Sequence, residues 1–274
     1  MRREVTGCVL VLLWLILLIF GSAGQFWLVT TIIAGFAASE YLAMQFPDGL
    51  PKTEYGVLLA IIVLPVLLQI SGAVTMPVAA YLFAAFFFYC LYRFMFFKEM
   101  PVDLTHFGKV ALGLFYIGLL FAHLPMIRNL PHGHGGAWVL ILTAITAGSD
   151  IGAYYVGRYC GKSKLCPEVS PSKTKEGMWG GVATAIVLAV IVKLAVDVPL
   201  GTPSLILLAV FLSFISVFGD LVESAIKRSV GVKDSGTPLT AKILPGHGGV
   251  LDRLDSMIFA APVLYYFLIW VVYK

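Results

Sequence analysis

A chain of 274 residues that is 59% hydrophobic and only 12% charged, with a formal net charge of +4, is too apolar for an ordinary soluble protein. Soluble domains carry about 25% charged and about 45–50% apolar residues. The composition therefore predicts an integral membrane protein.

Apolar stretches long enough to cross the hydrocarbon layer, about 20 residues each, recur throughout the chain. We predict an all-α protein with about nine transmembrane helices, near residues 5–20, 26–44, 55–72, 76–97, 107–127, 137–157, 178–197, 203–226 and 256–273. The first run follows Arg2 and Arg3, as in a signal peptide. It lacks a convincing small-x-small cleavage site and further spans follow, so we expect a helix there. Residues 1–130 carry no recognisable motif, and residues 131–274 form the half that holds the polar motifs.

The basic residues indicate the topology, because cytoplasmic loops carry an excess of lysine and arginine. With the N-terminus inside, the predicted spans place 16 of the 19 basic residues on the cytoplasmic side and leave only Arg128, Lys193 and Lys274 outside. The C-terminus is then external. The two longest and most basic loops, residues 158–177 and 227–255, both face the cytoplasm.

Two features resemble metal sites only weakly. The four cysteines are scattered, and although Cys160 and Cys166 share a loop, no cluster of histidine and cysteine lies beside them, so we interpret them as isolated thiols. His132 and His134 belong to the external loop "RNLPHGHGG", which has no acids nearby and is typical of a glycine-rich turn.

Four acidic residues fall inside predicted spans: Glu40, Asp150, Asp220 and Glu223. Charged groups in a span are costly and usually face a protein interior or a wet cavity. Asp220 and Glu223 share one helix face, which Lys227 continues. Two interpretations remain open: a helix-stabilising Glu223–Lys227 pair with Asp220 held by a serine, or a polar cleft that opens to the cytoplasm. Glu40 stands alone in its span, and we do not select it.

The segment "LPGHGGVLDRLDS", residues 244–256, is the most polar stretch near a span. Asp252 and Asp255 are three residues apart at the start of the last span, where unpaired backbone N–H groups favour carboxylates. Mg²⁺ prefers a few carboxylates together with water and phosphate oxygens. We therefore predict a metal site built from Asp220, Asp252 and Asp255.

Basic and glycine-rich residues flank those acids, as phosphoryl chemistry requires, since acids hold the metal and bases help it to hold phosphate. The predicted phosphate-facing residues are Lys227, Arg228, Lys233, Arg253, Gly246, His247, Gly248 and Gly249. The glycine backbone can form an anion nest, although a solvated turn position is the alternative for His247. In the other basic loop, Lys173 and Thr174 either grip phosphate or merely accompany the positive-inside bias.

Two segments resemble the signature regions of the phosphatidate cytidylyltransferase (CDP-diacylglycerol synthase) family. They are "SAIKRSVGVKDSG…LPGHGGVLDRLDS", residues 224–256, and "SDIGAYYVGRYCGKSKLCPEVSPSKTKEG", residues 149–177. The combination of S-x-x-K-R, K-D-x-G and P-G-H-G-G-x-x-D-R-x-D is highly specific. The resemblance covers the C-terminal half in motif detail and the whole chain in hydropathy.

The resemblance implies a membrane nucleotidyltransferase that converts CTP and phosphatidate to CDP-diacylglycerol and pyrophosphate with Mg²⁺. It implies membrane lipids around the chain, a homodimer and no nucleic-acid partner. The compact form with nine spans and no soluble extension suggests a bacterial plasma membrane, and the basic residues place the active site on the cytoplasmic side. It assigns metal binding to Asp220, Asp252 and Asp255, catalysis to Lys227, Arg228, His247 and Arg253, and substrate binding to Asp150, Lys173, Thr174, Lys233, Asp234, Gly246, Gly248 and Gly249.

The chain departs from the family pattern in one place. The insertion "TPLTAKIL", residues 237–244, separates the K-D-x-G and P-G-H-G-G motifs. A surface loop that is longer by about five residues costs little closure entropy. It does put in question whether Lys233 and Asp234 reach the cleft.

Two other classes of protein fit the sequence less well. Transporters often carry broken helices in both halves, whereas the polar motifs here crowd into the second half. A CDP-alcohol phosphatidyltransferase would show D-G-x-x-A-R followed by widely spaced aspartates, and Asp252 and Asp255 are too close together for that pattern.

Overall fold

The computed structural model describes residues 2–69, 78–96, 104–130, 133–238, 240 and 248–274. Within these residues the chain is almost entirely helical. The helices are α1 (Arg2–Phe20), α2 (Ala23–Gln45), α3 (Lys52–Leu67), α4 (Val78–Phe96), α5 (Leu104–Arg128), α6 (Gly135–Cys160), α7 (Lys175–Ala195), α8 (Thr202–Ser229) and α9 (Asp255–Val272). Two short strands, β1 (Lys164–Cys166) and β2 (Ser170–Thr174), join α6 to α7, and a 3-10 turn (Leu251–Arg253) precedes α9.

Every predicted span coincides with one of these helices, but the helices differ in length. Seven of the described helices are long and apolar enough to cross a membrane. The exceptions are α1, whose apolar part is only Gly7–Phe20, and α3, which has 16 residues. The prediction of a multi-pass helical membrane protein is thus confirmed, whereas the described residues support fewer full-length spans than the nine predicted.

Local sequence signals explain where several helices begin. Ser22 and Gln25 form a reciprocal capping box at the start of α2. The Gly177 amide donates to the Thr174 hydroxyl at 3.1 Å, so Thr174 caps the first turn of α7. Pro203 lies in the first turn of α8, where backbone N–H groups have no partner within the helix, so the N–H that proline lacks is not needed.

The basic loop between α6 and α7 contains a small sheet that the all-α prediction missed. Strands β1 and β2 pair antiparallel, with Lys164 opposite Thr174. Glu176, in the first turn of α7, accepts a hydrogen bond from the Ser163 amide at 3.1 Å and ties the hairpin to the helix. Because β2 runs directly into α7, the hairpin fixes Lys173 beside the start of that helix.

Helices α6 and α7 pack closely along a row of small residues, as membrane helices often do. A Cβ atom added to Gly148 would lie 3.1 Å from the Cα of Ala185, and one added to Gly152 would lie 2.5 Å from the carbonyl oxygen of Gly180. Any side chain at these glycines would force the two backbones apart. This contact holds the hairpin and the two helices as one unit.

Helix α8 packs against α6, α7 and α9, and α9 packs in turn against the last turns of α5. At Gly219 the backbone of α8 approaches the start of α9 so closely that an added Cβ would lie 2.8 Å from the Asp255 carbonyl oxygen. Asp220 follows Gly219 directly in the chain. The close approach therefore places the acids of α8 beside the first residue of α9.

Helix α5 is interrupted by a π-helical segment, Leu114–Leu119. The part of α5 before this segment packs on the N-terminal helices, and the Tyr41 hydroxyl donates to the Lys109 carbonyl oxygen at 2.7 Å. Tyr116, within the π segment, packs instead on Phe259 of α9, with ring centroids 5.8 Å apart. The N-terminal helices and the C-terminal bundle are therefore in direct contact through α5.

Candidate active site

A cleft of about 540 Å³ lies between the hairpin and helices α6, α7 and α8. Its wall includes Asp150, Lys173, Thr174 and Asp220. The Lys173 ammonium lies 2.6 Å from the Asp220 carboxylate and links the hairpin to α8. The structure thus brings together residues predicted from separate segments, although the Thr174 hydroxyl is engaged in capping α7.

Three carboxylates converge near the C-terminal end of α8, and one of them is Asp220 from the wall of this cleft. One oxygen from each of Asp220, Glu223 and Asp255 lies within 4.8 Å of the others. Glu223 and Asp255 are buried, at 1% and 7% exposure. Neither buried oxygen of Glu223 has a hydrogen-bond partner among the described residues, although the carboxylate forms an ion pair with Lys227. Such a set of oxygens can hold a hard divalent cation.

Asp252, which the sequence also predicts as a metal ligand, is not one of these three clustered carboxylates. Its carboxylate lies 2.6 Å from the Lys227 ammonium, which also pairs with Glu223. Burial alone would raise the pKa of Asp252, but the neighbouring Glu223 carboxyl, the Lys227 ammonium and the Gly249 amide lower that pKa to about 2. For Glu223 the features of both open interpretations are present. It lies beside Asp220 and Asp255 and also pairs with Lys227, and the Ser224 hydroxyl donates to Asp220 at 3.4 Å.

Two backbone amides bind the side chain of Asp252. The Gly249 amide donates to its carboxylate at 2.9 Å and the Ser235 amide at 3.2 Å. Gly248 has a φ of +75°, a left-handed conformation that favours glycine. These two amides therefore bind the protein's own carboxylate, and the phosphate-facing role of the glycine-rich loop stays a prediction.

The remaining predicted site residues lie at the surface or outside the described residues. Arg228, Lys233, Asp234 and Arg253 have exposed side chains. Asp234 accepts a hydrogen bond at 2.8 Å from the amide two residues further on and so stabilises its own turn. Gly246 and His247 lie outside the described residues, as does most of the insertion at 237–244.

Sequence reasoning missed Glu40, which lies at the centre of this region. Glu40 is fully buried and accepts hydrogen bonds from the amides of Val250 and Leu251. The rule that charged groups in a span face a protein interior applies to Glu40 as well as to Asp220. The sequence analysis does not select Glu40 because it stands alone in its span, and a sequence has no local signal for partners 210 residues away.

A second missed residue is Tyr116 in the π segment of α5. Its side chain is 1% exposed, and its hydroxyl has no hydrogen-bond partner among the described residues. Its ring packs on Phe259, four residues beyond Asp255 in α9. π turns are frequent at functional sites, but nothing in the apolar run around Tyr116 identifies it from sequence.

Comparison with known proteins agrees with this geometry. The model of the cytidylyltransferase family matches residues 1–271. The chain belongs to the cytidylyltransferase family. The match includes the N-terminal helices, where sequence reasoning found no motif.

Individual relatives within the cytidylyltransferase family match over shorter stretches. A phosphatidate cytidylyltransferase of Bacillus subtilis strain 168 is 46% identical over 161 residues, which are 59% of this chain and 58% of that protein. A phosphatidate cytidylyltransferase of Brucella suis is 42% identical over 160 residues, 58% of this chain and 57% of that protein. The uncharacterized protein YnbB of Escherichia coli K12 is 46% identical over 150 residues, 54% of this chain and 48% of that protein. The aligned part thus spans about half the length of these curated relatives.

Proposed function

We propose that this cytidylyltransferase transfers the cytidylyl group of CTP to phosphatidate and forms CDP-diacylglycerol and pyrophosphate. Two of the relatives above carry the name of that activity. The observation that carries the proposal is the group of carboxylates on α8 and α9 with Lys173 and Lys227 beside it, next to a cleft in a helical membrane bundle. Acids for a metal and bases for phosphate are what this reaction needs.

The reaction joins two anions, so positioning and charge compensation are the main tasks of the protein. An oxygen of the phosphatidate phosphate forms a bond to the α-phosphorus of CTP, while the bond from that phosphorus to the bridging oxygen of pyrophosphate breaks. The attacking oxygen is already ionised at neutral pH and needs no general base. Lys173, at the wall of the cleft, and Lys227, at the acid cluster, are placed to hold phosphate oxygens and to offset their repulsion.

The described residues fit Mg²⁺. The buried carboxylate of Glu223, which pairs with Lys227, and the nearby carboxylates of Asp220 and Asp255 form the kind of oxygen donor set that this ion prefers. Asp220, Glu223 and Asp255 would hold the ion, with Lys227 and Asp252 as their neighbours. When bound, Mg²⁺ supplies positive charge that neutralises the phosphate oxygens of the substrates.

The site would face the cytoplasm of a bacterial cell. The distribution of lysine and arginine predicts this orientation, and the relatives named above are bacterial. Soluble CTP would then enter from the cytoplasm, and phosphatidate would enter from the inner leaflet. Nine crossings, with α1 and α3 as short spans, belong to the same proposal.

The test is transfer of label by the purified protein in lipid nanodiscs. With Mg²⁺, phosphatidate and CTP labelled at the α-phosphorus, we expect label to move into the lipid phase with equimolar release of pyrophosphate. Glu223→Gln should lower the rate by roughly 100-fold or more, as loss of a ligand to a catalytic metal does. Glu168→Gln is the matched control, because Glu168 is an exposed glutamate of the hairpin.

A second readout does not depend on turnover. Mn²⁺ titration followed by electron paramagnetic resonance should show a bound ion in the unmodified protein and in Glu168→Gln, and much weaker binding in Glu223→Gln. Absence of labelled lipid from well-dispersed phosphatidate would refute the proposed reaction. Equal Mn²⁺ binding by all three proteins would refute the proposed ligands.

A further inference from the structure

Glu40 makes a set of long-range contacts that the proposed chemistry does not require by itself. It lies in α2, in the half of the chain without motifs, and its side chain is fully buried. Its carboxylate accepts hydrogen bonds from the Val250 amide at 3.0 Å, the Leu251 amide at 2.9 Å and the Ser235 hydroxyl at 3.2 Å. One side chain of the N-terminal half thus holds two segments of the C-terminal half.

Glu40 and Asp252 together hold the loop that leads into α9. Asp252 accepts from the Gly249 amide at 2.9 Å, and Glu40 accepts from the next two amides in the chain. Both carboxylates also bind Ser235, one through its amide and the other through its hydroxyl. Three successive amides are therefore fixed by charged acceptors, which form stronger hydrogen bonds than neutral acceptors do.

Gly249 allows this arrangement through its small size. A Cβ added to Gly249 would lie 2.7 Å from a carboxylate oxygen of Glu40. The glutamate therefore lies directly against the loop backbone. Packing alone would not select a charged residue here, because burial of a carboxylate costs several kcal/mol unless hydrogen bonds compensate for the loss of water.

The loop leads directly to one of the three clustered acids. Only four residues separate Val250 from Asp255, whose carboxylate lies beside those of Asp220 and Glu223. Leu251 begins the 3-10 turn and is itself fully buried. The position of Asp255 relative to α8 therefore depends on where the amides of Val250 and Leu251 are held.

We propose that Glu40 is a positioning residue of the active site, which fixes the Gly249–Leu251 backbone and through it the placement of Asp252 and Asp255. In this arrangement α2 is a structural part of the catalytic half. The inference concerns loop geometry and rests on the proposed function only for its effect on turnover.

Hydrogen–deuterium exchange on the full-length protein in nanodiscs tests the geometry directly. In Glu40→Gln, an NH2 group replaces one of the two acceptor oxygens and faces a backbone N–H, so one hydrogen bond to Val250 or Leu251 is lost and the other loses its charge assistance. We expect faster exchange in the peptide covering residues 248–254, with little change elsewhere. Where CDP-diacylglycerol synthesis is measurable, kcat should fall roughly 10- to 100-fold, the usual effect of losing a residue that orients a metal ligand.

Glu54→Gln is the matched control. Glu54 is also a buried glutamate of the N-terminal half, but it pairs with Arg93 at 2.6 Å and accepts from the Tyr89 hydroxyl at 2.9 Å. Its loss should affect stability and leave exchange at residues 248–254 and kcat near their unmodified values. Equal acceleration of exchange in the two variants would overturn the proposal, because it would show general destabilisation.

Ser235→Ala serves as the second variant if Glu40→Gln fails to fold. It removes one hydroxyl donor from Glu40 and leaves both charges in place. Faster exchange at residues 248–254 with a lower kcat would support the proposal, and unchanged exchange in a folded variant would overturn it. If the unmodified protein makes no CDP-diacylglycerol, the exchange measurement still decides whether Glu40 holds the loop, and only the proposed function fails.

Discussion

Lys227 lies between two carboxylates from different parts of the chain. Its ammonium group is 2.6 Å from Asp252, just before α9, and it also pairs with Glu223 on its own helix. All three side chains are largely buried, with exposures of 11%, 13% and 1%. The ammonium of Lys227 thus lies between Asp252, which binds the loop backbone, and Glu223, which belongs to the group of acids proposed to hold a cation.

Neutralising Asp252 and neutralising Asp255 should have opposite effects on stability in the absence of metal. Asp252→Asn weakens charge-assisted hydrogen bonds to Lys227 and to the Gly249 amide, so the free energy of unfolding should fall by about 1–3 kcal/mol. Asp255→Asn removes one of three clustered carboxylates and should raise stability, as functional-site substitutions often do. Thermal unfolding in detergent with a chelator measures both. A common sign would contradict the separation of roles.

Removal of Lys173 should make a divalent cation bind more tightly and make catalysis slower. The ammonium of Lys173 lies against Asp220 and competes with a metal ion for that carboxylate. In Lys173→Met we expect the dissociation constant for Mn²⁺ to fall several-fold, while the KM for CTP rises because a phosphate contact is lost. Lys175→Met, which changes an exposed lysine two residues further on, is the control. Weaker Mn²⁺ binding in Lys173→Met would show that Lys173 supports the cluster instead.

A single added methyl group at the contact between α6 and α7 should destabilise the protein. In Gly152→Ala the new Cβ would meet the Gly180 carbonyl oxygen at 2.5 Å, so the helices must separate, at a cost of about 1–3 kcal/mol. Gly35→Ala, the same substitution in α2, is the control, because no described atom of another element lies within 4 Å of its added Cβ. It should gain about 0.5–1 kcal/mol from higher helix propensity. Equal unfolding temperatures would refute the close contact.

The proposed orientation predicts which cysteines are labelled from outside the cell. Cys160 is exposed at the end of α6, at the start of the basic loop. In a variant with Cys160 as the sole cysteine, a membrane-impermeant maleimide should react only after the cells are permeabilised. The control is Asp197→Cys in a cysteine-free background, an exposed position between α7 and α8 that should react in intact cells. The reverse pattern would invert the topology.

Periodicity and motif reasoning succeeded where the signal is local in the chain. Apolar runs located the helices to within a few residues, and the spacing of Asp220 and Glu223 placed both on one face of α8. The same reasoning assigned Asp252 to the metal, because i, i+3 spacing suggests a shared face with Asp255. Asp252 lies in the 3-10 turn before α9 and pairs with Lys227, so its assignment to the metal stays a prediction.

Local sequence patterns do not predict contacts between segments that are distant in the chain. Glu40 contacts residues about 200 positions away, and its neighbours in α2 show no polar periodicity. The hairpin was missed because β1 and β2 have only three and five residues and follow no clear alternation. Both features depend on tertiary packing, which overrides local preference.

Because of its π segment, α5 tolerates neither the loss nor the gain of a single residue. A π turn holds one residue more than an α turn, so the parts before and after it are rotated by about 100° from their register in a continuous α-helix. Gly113, directly before the π segment, packs on Tyr41. His123, after the π segment, packs on Tyr265 with ring centroids 5.5 Å apart. Deletion of one residue between them would restore regular winding but turn one of these faces away from its partner. A helix that contacts mainly lipid can change in length by shifting its position in the membrane. In α5 such a change would disrupt contacts with other helices and would be selected against.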